Sequence, residues 1–283
     1  MPDWLRIKQA RDDLTDYVIH WTRSQSIDGN YLKPFEVLKL ILKSGVLKPS
    51  FAPKRRWTVG GSANTIQGDY PAVCFTEQPL DAFIKSCTTL TDRYQQYAVA
   101  VRKDRLFEYG GRPAIYGDEG ILKRLPEDDK YLWVRFNPIP NPVFGGYPVD
   151  WTHEREWRAR VRSSSYGTLG TSPEDGVPLL LPINYASSSK PVLHLPVFLV
   201  SKSEEVEELR ECIDQSPPYD GNNGVLGQYF QELPHAPIVP LDVVTSRISD
   251  GDRRWARLDT LPYGEFDPVN ASQLTKFGWN TLQ

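Results

Sequence analysis

The hydrophobic pattern of this chain is one of short apolar runs, each cut off by Gly, Pro or a polar cluster. Tyr17-Val-Ile-His-Trp-Thr22, Ala72-Val-Cys-Phe-Thr76, Tyr97-Ala-Val-Ala-Val101, Leu132-Trp-Val-Arg-Phe136, Val177 to Leu181, Val197 to Val200 and Ile238 to Val244 have the length and the β-branched or aromatic content of strands. Helical spacing is confined to a few stretches. Phe35 to Lys43 carries apolar residues at Phe35, Val37, Leu38, Leu40, Ile41 and Leu42, consistent with a helix packed on a core, with Gly45 placed to stop it. Leu80-Asp-Ala-Phe-Ile-Lys-Ser opens a second helix, and residues 119–125 predict one or two turns. Ser203 to Ile213 predicts a helix capped by Ser203, with Glu204 and Glu205 complementing its N-terminal dipole. Residues 48–70 and 214–236 read as loops, Phe107 to Tyr116 as a turn feeding a short strand, and the tail from Ser246 fits no element. Short strands with interspersed helices predict an α+β fold with a mostly antiparallel, split or sandwiched sheet.

The most informative stretch is Glu154 to Val161. Along an extended chain Glu154, Glu156, Arg158 and Arg160 fall on one face, and Arg155, Trp157, Ala159 and Val161 on the other. Apart from Arg155 the second face is apolar, so the alternation predicts a half-buried strand. Its polar face opens with two carboxylates whose Cβ atoms lie roughly 6.5–7 Å apart. A salt-bridged, exposed face is the plain reading of that pattern.

Composition narrows the choices. The chain has 283 residues, enough for one large domain or two small ones, and with 40% hydrophobic residues, 24% charged and net charge −3 it is an ordinary globular protein. That charge, with a pI near 5.9, gives no global basic footprint for nucleic acid, although Lys54-Arg55-Arg56-Trp57 is a local basic cluster in the 48–70 loop. Cys74, Cys87 and Cys212 have neither CxxC spacing nor an even count, which argues against a disulfide framework or a zinc site and fits a cytoplasmic protein. The first residues lack the apolar core of a signal peptide, and no apolar run approaches the ~18–20 residues of a membrane span.

Candidate chemistry follows from the scarce residue types. Of the four histidines, His20 ends an apolar strand and His153 adjoins the acid pair; His194 and His235 stand apart. No HxH or HExxH spacing accompanies them, so no metal site is expected. Glycosidase carboxylates flank a bond from opposite sides, whereas Glu154 and Glu156 lie side by side. Ser62 and Ser163 to Ser165 lack a nucleophile elbow.

Five stretches taken in order resemble a known family. They are strand-His20-Trp-Thr22; Leu42-Lys-Ser-Gly45-Val-Leu47; Val73-Cys-Phe-Thr-Glu-Gln-Pro-Leu80; Gly110-Gly-Arg-Pro-Ala-Ile-Tyr116; and Glu154-Arg-Glu-Trp-Arg158. Over roughly residues 17–162 the chain resembles the AbiGi-type abortive-infection proteins of bacteria and, more distantly, the DarT-like ADP-ribosyltransferases. The resemblance implies a split-sheet fold with NAD+ as co-substrate in the cleft, residues 17–200 as core and 201–283 as a C-terminal extension of one domain. It places His20 on the adenosine ribose with Thr22 assisting, Phe75 or Tyr116 against the nicotinamide, Thr76 beside them, and Glu156 as catalytic carboxylate with Glu154 preceding it. Arg112 or Arg158 would hold the pyrophosphate by bidentate contacts. The Ser-x-Ser of a second strand is missing.

The function implied is transfer of ADP-ribose from NAD+ to a macromolecular acceptor, nucleic acid or protein, in an anti-phage or toxin–antitoxin system. A carboxylate there would stabilise the oxocarbenium-like cation formed as nicotinamide leaves. Two other readings are a non-catalytic binding or neutralising module on the same fold, acting as an antitoxin or a sensor of a phage protein, and a metal-independent nuclease using His20 or His153 with Glu156. Convergence of His20, an aromatic and Glu156 on one open cleft would favour the transferase. Burial of Glu156 in an ion pair with Arg158 or Arg112 would favour the binding module.

Overall fold

A computed structural model describes residues 7, 10–11, 13–27, 29–51, 55–58, 61–63, 65–91, 94–140, 146–160, 176–179, 195–215 and 233–263. In chain order it contains β1 (Tyr17–Trp21), β2 (Gln25–Ile27), β3 (Asn30–Leu32), α1 (Pro34–Ser44), β4 (Val46–Leu47), β5 (Arg55–Thr58), β6 (Gly61–Ala63) and β7 (Val73–Thr76). Then follow α2 (Leu80–Thr89), β8 (Ala98–Arg102), α3 (Lys103–Tyr109), β9 (Arg112–Pro113), β10 (Ile115–Gly117), α4 (Glu119–Arg124), β11 (Trp133–Arg135) and β12 (Glu156–Ala159). The last are β13 (Val177–Pro178), β14 (Val197–Val200), α5 (Glu205–Asp214), β15 (Ile238–Pro240) and α6 (Leu241–Ser249).

Seven strands form one sheet in the order β15-β14-β8-β1-β7-β12-β9, and every neighbouring pair is antiparallel except β14–β15. The fold is therefore α+β with a mostly antiparallel sheet. Alternation divides the strand residues between two cores. On one face Val18, Phe75, Val99, Trp157 and Phe198 pack with Leu38 and Leu42 of α1 and Leu209 and Ile213 of α5. On the other, Tyr17, Ile19, Ala98 and Leu199 pack with Phe83 of α2, Val244 of α6 and Trp255. A third cluster, Ile66, Ala72, Tyr131 and Leu132, reaches Cys74 on that same second face of β7.

Most predicted elements appear with shifted ends. Gly45 closes α1 in the left-handed region at φ 69°, its N–H donating to the Ile41 carbonyl, as the sequence required. Gly176 is needed for space as well as for its φ of 111°, since a Cβ there would sit 2.5 Å from the Leu47 carbonyl oxygen.

The departures are specific. The 48–70 stretch is not all loop, because β5 and β6 pair across it; Lys54 lies outside the described residues. Residues 103–109 form α3, closed by Gly110 at φ 117°. Ser203 does not cap α5. Its N–H and hydroxyl both donate to Asp242 Oδ2 at 3.1 Å, and Glu204 precedes the helix without a side-chain cap. Ile238 to Val244 splits at Pro240, because the buried Leu241 and Val244 fall at helical spacing. Ser163 to Ser165, His194 and the tail beyond 263 lie outside the described residues.

β12 differs most from expectation. It starts at Glu156, not Glu154, and all four of its residues are buried, so it is not half-exposed. The segment around Tyr131 and Leu132 covers its polar face. Glu154 ends a one-turn 3-10 helix, Thr152–Glu154, and Arg155 stands between helix and strand at φ 45°, ψ 52°.

Among the described residues no helix is long and apolar enough to cross a membrane. Residues beyond 200 contribute β15, α5, α6 and the fully buried Trp255 to the two cores. A chain ended after Val200 should lose near-ultraviolet circular dichroism and cooperative unfolding; a sharp thermal transition in that fragment would refute the shared core.

Candidate functional site

His20 sits where the sheet is weakest. β1 pairs with β8 over five residues, Tyr17 to Trp21, but with β7 through one pair, Ile19↔Thr76. Past that pair His20 reaches across, and its Nδ1–H donates to the Cys74 carbonyl at 2.8 Å. A carbonyl only accepts, so in the neutral ring Nε2 is left as an acceptor. Burial, opposed by the Cys74 hydrogen bond and reinforced by Arg23, pulls the imidazole down to about 4. The ring meets Phe75 edge-on, centroids 5.8 Å apart.

Glu156 belongs to the other face. β12 registers on β7 as Glu156↔Thr76, Trp157↔Phe75 and Arg158↔Cys74, so the carboxylate and guanidinium share a face with Cys74 and Thr76. Arg158 Nε donates to Glu156 Oε1 at 2.8 Å, with side-chain exposures of 4% and 9%. Arg158 Nη1 also donates to the carbonyls of Tyr131 and Trp133, at 2.6 and 2.8 Å. The Glu156 N–H donates to the Tyr116 hydroxyl oxygen at 2.8 Å. Burial raises the Tyr116 hydroxyl to about 12, and burial with the Glu156 charge raises the Cys74 thiol well above its usual range.

Glu154, also buried, accepts a hydrogen bond from the Tyr94 hydroxyl at 2.5 Å. The Thr76 hydroxyl donates to the Glu154 carbonyl, and Gln78 Nε2 donates to the His153 carbonyl at 2.8 Å. These bonds hold the 152–155 turn against the end of β7. The arrangement is a buried polar network whose donors and acceptors satisfy one another, as buried polar groups must.

The predicted site residues therefore fall into two groups. Glu154, Glu156, Thr76, Tyr116 and Arg158 are brought together on one face, while His20 and Phe75 meet on the other. Phe75 is fully buried, with no ring face open for stacking. Thr22 is equally buried, its single hydroxyl proton shared between the carbonyls of Pro34 at 2.9 Å and Tyr97 at 3.1 Å. Arg112 registers beside Arg158, but its Nη1 donates to the Phe107 and Gly111 carbonyls and its guanidinium lies 3.9 Å from the Phe107 ring centroid. His153 is exposed beside Trp151 and apart from Glu156.

Sequence reasoning missed Tyr94, Glu77 and Gln78. Glu77 and Gln78 follow Thr76 inside a noted motif and were open to notice, but Tyr94 lies in a polar stretch and carries no local signal. Among the described residues no group of three or more His, Cys, Asp or Glu is placed to hold a metal ion. No family model, curated protein or solved structure matches this chain, so the family resemblance rests on its five motifs.

Two outcomes follow. Arg158→Met leaves Glu156 buried without its cation and should cost about 3–5 kcal/mol in urea unfolding, whereas Arg158→Met with Glu156→Leu should recover much of that loss. Equal losses in the single and double variants would mean that the pair is not coupled. For His20 the folded value near 4 lies below the 6.5 of a free imidazole, so the unfolded chain binds the proton first. Its contribution is complete above about pH 6.5 and is lost as pH falls toward about 4. The stability gap between wild type and His20→Gln should therefore narrow over that window, and a constant gap would overturn the assignment.

Proposed function

We propose that the chain is a non-catalytic binding or neutralising module, of the kind an antitoxin or a sensor of a phage product would be, on an ADP-ribosyltransferase-like sheet. The burial of Glu156 in its ion pair with Arg158 carries this reading. A carboxylate that is to meet a developing ribosyl cation has to face the substrate. Here it faces a guanidinium that is itself tied to two main-chain carbonyls. The face that holds Glu156 does not hold His20, and Phe75 and Thr22 are consumed by packing and main-chain hydrogen bonds. Such a protein would act through its surface, with Glu156, Arg158, His20 and Phe75 serving as its core.

One observation favours the transferase as the second reading. β7 lies between the first strand, which carries His20, and the late strand, which carries Glu156, and the ladder on its β1 side narrows to one pair. That layout agrees with a split sheet in which a His and a Glu border one cleft. The nuclease reading gains nothing comparable, because neither His20 nor His153 meets Glu156.

Incubation of the purified protein with labelled NAD+ and cell lysate, beside Glu156→Gln, separates the two readings. The binding module predicts no labelled macromolecule and no released nicotinamide from either protein, with Glu156→Gln reducing thermal stability. Label entering nucleic acid or protein, and lost in a Glu156→Gln variant that keeps wild-type circular dichroism, would establish the transferase and retire the module.

A further inference from the structure

Arg155 is the only non-glycine residue with positive φ among the described residues, at φ 45°, between the two buried glutamates. An L-residue avoids this region because its Cβ crowds the following carbonyl, and a long charged side chain has no local hydrogen bond to offset that, as Asn or Asp would have. Such a conformation persists only where the surroundings over-determine it. Here the surroundings converge on Glu77, the residue after β7.

The Glu77 N–H donates to the Arg155 carbonyl at 3.1 Å, which fixes the strained residue's own main chain. Glu77 Oε1 receives Arg155 Nη2 at 3.2 Å and Lys103 Nζ at 2.8 Å, and Oε2 receives the Trp157 Nε1–H at 2.7 Å. The carboxylate thus grips the residues on both sides of Glu156 from the opposite face of the sheet, with a side-chain exposure of 13%. Arg155 extends the grip to the N-terminal segment, its Nη1 donating to the Asp13 carbonyl at 2.5 Å. Lys103 does the same from its own end, its N–H donating to the Asp16 carbonyl at 2.7 Å.

The geometry points to Glu77 as a positioning residue, a latch that holds Arg155 in the left-handed conformation and so fixes where the chain turns from Glu154 into Glu156. In the alternative state Arg155 relaxes, β12 loses its first residue from the ladder, and the two carboxylates leave their partners Tyr94 and Arg158. The N-terminal segment is the natural handle on this equilibrium, since it is held by Arg155 and by the main chain of Lys103. The inference does not depend on whether Glu156 is catalytic.

Amide hydrogen exchange at residues 154–157 of the full chain tests it. Glu77→Ala should speed exchange there by about ten-fold relative to the β8 amides, a local opening. Glycine occupies the left-handed region without strain, so adding Arg155→Gly to Glu77→Ala should bring exchange back to within about three-fold of wild type. Adding Arg155→Ala should not, because alanine meets the same crowding. Glu77→Gln, which keeps an acceptor for Trp157, should lie between wild type and Glu77→Ala, and provides the comparison if Glu77→Ala fails to fold. Equal exchange in the glycine and alanine double variants, or exchange at 154–157 that rises only together with β8, would overturn the latch.

Discussion

The ion pair between Arg158 and Glu156 is the constraint around which this half of the molecule is arranged. Two charges are held out of water, and that is tolerable only because each finds fixed partners. Arg158 meets the carboxylate with Nε and the carbonyls of Tyr131 and Trp133 with Nη1. Those carbonyls belong to the segment that lies over β7 and β12, so the pair joins the sheet to its cover. An arginine serves here where a lysine would not, since its planar fork addresses three acceptors in fixed directions. The same bonds that seat β12 close the Glu156 carboxylate off from water.

Next to this rigid region the sheet carries its least regular joint. The β1–β7 ladder has one residue pair, and the His20 imidazole stands in for the missing main-chain bond to Cys74. A neutral histidine suits the position, because Nδ1–H satisfies the carbonyl while burial disfavours a charged ring. The same bond ties the most conspicuous histidine of the chain to sheet architecture. Local geometry at the joint and at the 152–155 turn is maintained by hydrogen bonds from side chains, not by repetition of a backbone pattern.

Placement of both carboxylates thus depends on several weak determinants acting together. Asp150 accepts from the Thr152 N–H at 2.9 Å at the start of the 3-10 turn, Tyr94 holds Glu154, and Tyr116 takes the Glu156 N–H. None of these partners is a neighbour in sequence of the group that it holds, apart from Asp150. A network of this kind specifies one arrangement more than it adds stability, since each polar group exchanges hydrogen bonds to water for hydrogen bonds to protein.

By itself the sequence determined the α+β class, the cores of strands β1, β7, β8, β11 and β14, and α1 with its glycine stop. Each of these is written in local periodicity or in a residue's intrinsic φ preference, and both act over a few neighbours. The sequence also marked Glu154, Glu156 and Arg158 as an unusual group on one stretch of chain. Only the tertiary structure decided that this polar face is buried, because the cover comes from Tyr131 and Leu132, far along the chain. The assignment of His20 and Glu156 to opposite faces likewise depends on strand register, which chain separation conceals. Alternation says which residues share a face; what lies against that face is set by contacts between segments distant in sequence, and that contact turned an apparent acid pair into a buried ion pair.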